Sequence, residues 1–425
     1  MLQNQKDIRR FCIGTALFMI FVGLFMNSPS EICQGLWKIA TSRDTLVTDY
    51  FELANYGAAF INAGCVLLIS IFFIDGSKIP YTGLTLAALF INAGFGFWGK
   101  NPLNVIPIVL GTRLYAMRQH MPFGRYVYTA LFATCLAPFF TELIYILPFS
   151  FGVNFAIGIF TGIFIGYVMP PLSMHTASMH MGYSLFNVGF SAGILAFIMY
   201  CVLRSFGIET APVLIWKENV HPIITYGTLA YFVFTFLYGF WLNGWKLSGL
   251  RRIIRHPGKA VTDFILMDGA GCTFMNMGMM GFVASMYIIL IGGEITGPVL
   301  GSILTLFGFS AFGAHLKNYL PVLAGVVIAG YFTIYDLHSP ALLIAAMFVV
   351  GVSPIAGQFG TFAGLVAGAL HVAIVMCTSP LYGGLNLYNN GFSAGWVAIL
   401  MVPLAESFMH HFEIRKRKKQ MLKKG

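Results

Sequence analysis

Two serines, Ser191 and Ser393, sit in the same pentapeptide, Gly-Phe-Ser-Ala-Gly. It satisfies G-x-S-x-G, the turn that presents the nucleophile of many serine hydrolases. The repeat extends further. Residues 182–193, GYSLFNVGFSAG, and residues 384–395, GLNLYNNGFSAG, are identical at eight of twelve positions. A hydrolase would need a strand before the serine, a helix after it, and histidine and acid partners. An intramembrane hydrolase would need only serine and histidine, but nothing in the pattern fixes a base or an oxyanion hole.

The same residues suit a second chemistry, the start of a helix inside a membrane. The apolar run after the first motif, ILAFIMYCVL, is too short to cross a bilayer alone, so the motif is expected to open a half-helix partway through. Asn187 and Asn389 would cap free N–H groups, Gly189 and Gly391 would permit non-helical backbone, and Ser191 and Ser393 would bond first-turn amides. Phe186 and Tyr388 lead in. Such a terminus carries free donors and partial positive charge, suited to a polar or anionic solute. Close packing of small residues between helices is the alternative use of Gly, Ala and Ser.

Other embedded polar groups are costly and therefore candidates as well. Asn62 and Asn276 would line a pathway or bond across helices. Asp49 and Asp263 precede apolar runs, as helix caps or as ion-coupling groups. Glu142, His371, His175 and His180 would be proton-coupling groups or buried structural ones. His175 and His180, five apart, do not share a helical face for a metal. No metal-ligand spacing, phosphate loop or dinucleotide fingerprint is present, so no metal and no cofactor is expected.

The chain that positions these residues is 58% hydrophobic and only 9% charged over 425 residues. That excludes an ordinary soluble domain and leaves a polytopic membrane protein. Seven cysteines without a CxxC pair read as small buried hydrophobes. The opening 30 residues carry no small-residue cleavage site and are expected to form an uncleaved first span. The net charge of +10 reads as topology, not nucleic-acid binding. Lys6, Arg9 and Arg10, the central Lys246, Arg251, Arg252, Arg255 and Lys259, and the basic tail would all face the cytoplasm of a bacterial inner membrane.

The repeat is much longer than the motif. At a constant offset of 214, Asp49 matches Asp263, Gly57 matches Gly271, Asn62 matches Asn276, Gly64 matches Gly278, Pro107 matches Pro321 and Gly111 matches Gly325. Further on the offset is 202, pairing Gly162 with Gly364 and Gly166 with Gly368. Twelve residues are therefore missing from the second copy, from the loop near RQHMPFGR or from ILPFSFG. Apolar runs give about fourteen spans. Residues 1–45 would be a leading span, 46–206 one six-span repeat, 207–260 an unpaired span (222–241) and basic loop, 261–410 a second repeat, and 411–425 a tail. The unpaired span would invert the second copy, as in transporters whose sites lie where two inverted repeats meet.

At this point residues 158–199 and 362–401 resemble the membrane core of urea transporters. In that family a glycine-rich span leads through a re-entrant turn into a Y-N-containing segment and a short helix, twice, in inverted copies. Phe186-Asn187 and Tyr388-Asn389 fall where that Y-N pair would be. The family's Leu-Pro-x-x-x-x-Pro-Phe signature is absent, and six spans per repeat exceed its five. The membrane subunits of sodium-pumping and Rnf-type redox complexes have a similar core, but no Ser-Gly-Ala-Thr-like flavin attachment sequence occurs here. The whole chain is similar to an uncharacterised family of bacterial integral-membrane proteins. The resulting expectation is an all-α, inverted-repeat permease or channel for a small polar solute, not an enzyme, with the lipid bilayer as its surroundings and a homo-oligomer admitted. A non-transporting membrane scaffold or complex subunit is the other class the pattern allows.

Overall fold

The glycines that recur between the two halves mark where helices touch. The computed structural model describes residues 2–210 and 212–421, without the side chains of residues 2–4 and 410–421, so the basic tail's side chains lie outside the described residues. Leu2–Met26 (α1) is followed by Pro29–Thr41 (α2), Tyr50–Leu53 (α3), Tyr56–Gly76 (α4), Gly83–Phe95 (α5), Pro102–Arg118 (α6), Val127–Ala133 (α7), Ala137–Ile146 (α8), Phe151–Met179 (α9) and Asn187–Ser205 (α10). The second half runs through Pro222–Leu242 (α11), Leu250–Ile253 (α12), Phe264–Asp268 (α13), Ala270–Leu290 (α14), Gly297–Phe309 (α15), Leu316–Phe332 (α16), Pro340–Phe348 (α17), Ser353–Phe359 (α18), Thr361–Thr378 (α19) and Asn389–Met421 (α20). Helix α2 is amphipathic: Ile32, Gly35 and Ile39 are buried while Trp37 points outward. Ser28 closes its first turn, and its backbone N–H and hydroxyl hold the Glu31 carboxyl below the usual carboxylate range.

Equivalent helices cross at equivalent atoms. A Cβ on Gly166 would lie 1.8 Å from the Ile108 carbonyl oxygen where α9 meets α6, and one on Gly368 would lie 2.0 Å from that of Val322 where α19 meets α16. Gly111 and Gly325 close the same two crossings from the other side, against the carbonyls of Ile163 and Leu365. Gly162 and Gly364 each sit against a proline ring, Pro107 and Pro321, at 2.7 Å. The identities in the repeat are therefore places where only hydrogen fits between two backbones, the membrane form of small-residue packing.

One expectation about the repeat is corrected and another is narrowed to one of its two alternatives. The helix over 222–241 is not unpaired: Gly239 on α11 packs against the Gly271 carbonyl oxygen, just as Gly23 on α1 packs against that of Gly57, both at 2.7 Å. Helices α1 and α11 are thus counterparts. The missing twelve residues lie at ILPFSFG. In the first half, residues 147–150 and two extra turns of α9 separate Ile146 from Gly158, whereas Gly360 alone separates α18 from α19. Its φ of +91° suits glycine, so a helix can stop and restart there within one residue.

Among the described residues, ten helices are long and apolar enough to cross a membrane, by length and composition, against about fourteen expected spans. The protein is a multi-pass helical membrane protein. The spans expected at 81–98 and 296–312 are the thirteen-residue helices α5 and α15. At 1.5 Å per residue each is about 20 Å long, well short of a hydrocarbon core of about 30 Å. Nearly every residue of both is buried, and they lie antiparallel against each other. Gly83, at the start of α5, meets the Ala311 carbonyl past the end of α15; Gly297, at the start of α15, meets that of Phe97 past the end of α5. Gly94, near the end of α5, and Gly301, in the first half of α15, touch, each built Cβ 2.3 Å from the other's carbonyl oxygen.

Candidate functional site

The motif helices are the next pair to consider, because the repeated pentapeptide begins them. Helix α10 has 19 residues, and the part of α20 up to Met409 is apolar and 21 residues long, so both are long enough, by length and composition, to cross a membrane. The half-length elements are instead α5 and α15. Gly189 and Gly391 face each other across the α10–α20 crossing, a built Cβ on either lying about 3 Å from the other's Cα. Gly193 lies against the Phe392 ring and Gly395 against the Phe190 ring, so the pentapeptide serves close packing.

The asparagines have a different role from capping. Asn187 is the first residue of α10 rather than its N-cap. Its Oδ1 accepts from Thr176 Oγ1 at 3.0 Å and faces His180 Nε2 at 2.9 Å, and its Nδ2 donates to the Ser173 carbonyl at 2.9 Å. Asn389 does the same on α20: Oδ1 accepts from Thr378 and Tyr382, and Nδ2 donates to the Val375 carbonyl at 3.3 Å. Each asparagine ties the start of one helix to the end of the preceding one. Ser191 and Ser393 donate back to the carbonyls of Asn187 and Asn389, at 3.0 and 3.2 Å, not to first-turn amides. Ser191 also bonds Thr176 Oγ1 at 2.6 Å, and His180 reaches Asn187 rather than the serine.

Asn62 and Asn276 close the turns that follow the half-helices. Asn62 Nδ2 donates to the carbonyls of Gly96 and Lys100, at 2.6 and 2.8 Å, and Asn276 Nδ2 to those of Ser310 and Ala314, at 2.7 and 2.8 Å. Both Nδ2 groups are engaged by backbone, while Asn276 Oδ1 is buried without a partner. Asp49 and Asp263 are caps, and each serves two helices. Asp263 accepts from Leu266 N–H on its own α13 at 3.1 Å and from Gly83 and Leu84 N–H of α5 at 2.9 and 3.3 Å. Asp49 accepts from Phe51 N–H at 2.9 Å and lies against Gly297 at the start of α15. Each half-helix is therefore capped by the other half of the chain. Asp49→Ala and Asp263→Ala are each expected to cost about 2–4 kcal/mol, one lost cap plus buried donors left unmet. Thermal unfolding should record similar losses for the two, with the Asn variants between them and the native chain.

The remaining candidates are separated. Glu142, fully buried, receives a two-pronged bond from Arg43. His371 Nε2 meets Asn390 Oδ1 at 3.0 Å, and its Nδ1 has no partner. His175 is exposed, whereas His180 is buried beside Asn187. No cluster of three metal-ligating side chains occurs among the described residues.

Two cavities frame the motif helices. One, of about 360 Å³, is lined by Asn187, His180, Ala177, Ala260, Val261 and Tyr388. The other, of about 340 Å³, is lined by Asn389, Asn390, Ser379, Leu46 and Val47. Ala260 and Val261 match Leu46 and Val47 at the 214 offset, and Ala177 and Asn187 match Ser379 and Asn389 at 202, so the cavities are counterparts over that part of their lining. They lie at opposite ends of α5. Its start is capped by Asp263, next to Val261, and the turn after it bonds to Tyr50 N–H, near Val47.

Two fully buried ionisable residues were missed in the sequence: Asp44, which accepts from the Tyr50 hydroxyl at 2.9 Å, and Lys100. Lys100 fell between two expected spans, yet it has no exposed surface. Its Nζ donates to Asn92 Oδ1 at 3.0 Å and to the Tyr388 hydroxyl at 2.9 Å, and lies over the rings of Phe95 and Tyr388. Its counterpart is Ala314, so the charge belongs to one half only. A lone lysine in FGFWGKNPL whose matched residue is alanine was the available signal.

A buried, duplicated helical core with matched cavities defines a multi-pass membrane protein built from two related halves. The chain belongs to a family of proteins of unknown function, DUF1576, whose model matches residues 28–205 and again residues 242–407. The two matches begin 214 residues apart and end 202 apart, the two offsets read from the identities. No curated protein and no solved structure matches the chain, so nothing among them supports the resemblance to urea transporters.

Proposed function

We propose that this protein is a permease or channel-like transporter for a small polar solute, built from two inverted repeats whose shared axis lies in the membrane plane. The observation that carries the proposal is the pair of counterpart cavities, beside Asn187 and Asn389, at opposite ends of the antiparallel half-helices. In transporters with inverted repeats, access alternates between such cavities as one repeat rocks against the other. Here the crossing of Gly189 and Gly391, with Phe186 and Tyr388 beside it, closes the route between them. Motion of α10 against α20 would open one side at a time. In this reading the basic termini and central loop face the cytoplasm, the membrane is a bacterial inner membrane, and the chain is not an enzyme. The serine geometry agrees, since both hydroxyls are buried and bond to a backbone carbonyl.

Uptake into reconstituted vesicles tests the proposal. Ala177→Trp and Ser379→Trp, which place an indole in one cavity each, are expected to lower uptake about tenfold or more, as blockage of a required site would. Asn187→Ala and Asn389→Ala should lower it as well by freeing the start of each motif helix. Uptake equal to the native chain's in all four variants would remove this route from consideration.

A further inference from the structure

Lys100 is the one fully buried cation in the core, and none of the ion pairs among the described residues involves it. An ammonium has three donors, and two of them are met by neutral acceptors, the Asn92 amide oxygen and the Tyr388 hydroxyl. Asn92 is itself saturated, accepting from Thr134 Oγ1 and donating to the carbonyls of Ala88 and Leu131. Neutral partners and ring faces do not balance a whole charge removed from water.

Tyr388, which accepts from Lys100, directly precedes α20. The residue is shared between the ammonium and the cavity: it lines the cavity beside Asn187, and its hydroxyl accepts from Lys100.

We propose that the solute is a small anion, bound by the Lys100 ammonium when the Tyr388 ring moves aside. This rests on the transporter reading and narrows its substrate class to compact anions such as monocarboxylates or halides. Because Ala314 stands opposite, one anion binds per chain rather than a symmetric pair. A cation meets repulsion here, and a neutral solute gains nothing from the charge.

The test is a flux panel on the full chain in vesicles: formate, acetate, chloride and nitrate against urea, glycerol, ammonium and sodium. The native chain is expected to pass at least one anion, with Lys100→Gln and Lys100→Met reducing that flux about tenfold or more and Lys100→Arg restoring part of it. Because a variant can fail to fold, the native chain's own selectivity and the anion dependence of its unfolding temperature are read as well. Formate or chloride should raise that temperature in the native chain and not in Lys100→Met. Flux of neutral or cationic solutes without any anion overturns the inference and leaves the transporter reading standing. Anion flux and anion-induced stabilisation unchanged in Lys100→Met overturn the role of Lys100. Failure of every solute overturns both readings.

Discussion

Gly94→Val and Gly301→Val are expected to leave little or no monodisperse protein, the largest effect of any single substitution considered. Each new Cβ would lie 2.3 Å from a carbonyl oxygen of the facing half-helix, closer than non-bonded atoms approach. The obstacle is backbone, not a side chain that could rotate away. Overpacking of a well-packed core ordinarily costs about 1–3 kcal/mol through side-chain adjustment, and here adjustment would have to separate α5 from α15. Separation would also pull Gly83 from Asp263 and Gly297 from Asp49, undoing both caps. Gly14→Val is the control: nothing lies within 4 Å of its built Cβ, so its effect should stay within about 1 kcal/mol. Size-exclusion profiles and unfolding temperatures of the three variants check the expectation. Equal behaviour would mean that the central crossing is looser than its carbonyl contacts imply.

The duplication was legible because its identities are packing constraints. A glycine facing a backbone carbonyl tolerates no substitute, so Gly111, Gly166, Gly325 and Gly368 stand in register in the sequence as they do in space. The equivalence of α1 and α11 was not legible. Only backbone contacts tie them together, Gly23 and Gly239 each against a neighbouring carbonyl and the Ala16 and Phe232 carbonyls against Gly64 and Gly278, and lipid-facing residues elsewhere on these helices share no requirement beyond being apolar. The half-helices were misplaced for a related reason. Residues 83–95 and 297–309 are apolar on all sides because they are buried on all sides, and composition alone does not separate that from a crossing. The motif helices were judged short because their first turns carry Asn, Gly and Ser, whose polar atoms turn inward to Thr176, Thr378 and the backbone. Lys100 could be singled out in the sequence as a lysine matched by Ala314, but its burial could not be read there. Its burial depends on Asn92, Thr134 and Tyr388, which three separate segments of the chain bring together.

Leu46→Cys and Ala260→Cys, in a chain whose seven native cysteines have been replaced, are expected to react with a membrane-impermeant maleimide from opposite sides of the membrane. The two positions are counterparts, partly exposed, and each lines one of the paired cavities. If the halves are related by an axis in the membrane plane, counterparts must face opposite compartments; if the axis ran along the membrane normal, they would face the same one. The antiparallel course of α5 and α15 favours the first, because helices related by an axis along the normal would run parallel. The basic loop at residues 246–259 then sets which side is which: Ala260 adjoins it and should label from the cytoplasmic face, Leu46 from the other. Labelling of both from one face would remove the inverted arrangement and, with it, the reason for two cavities to serve a single route. Adding the Ala177→Trp or Ser379→Trp plug should then protect Ala260→Cys or Leu46→Cys respectively, and not its counterpart, since each indole fills only the cavity it lines.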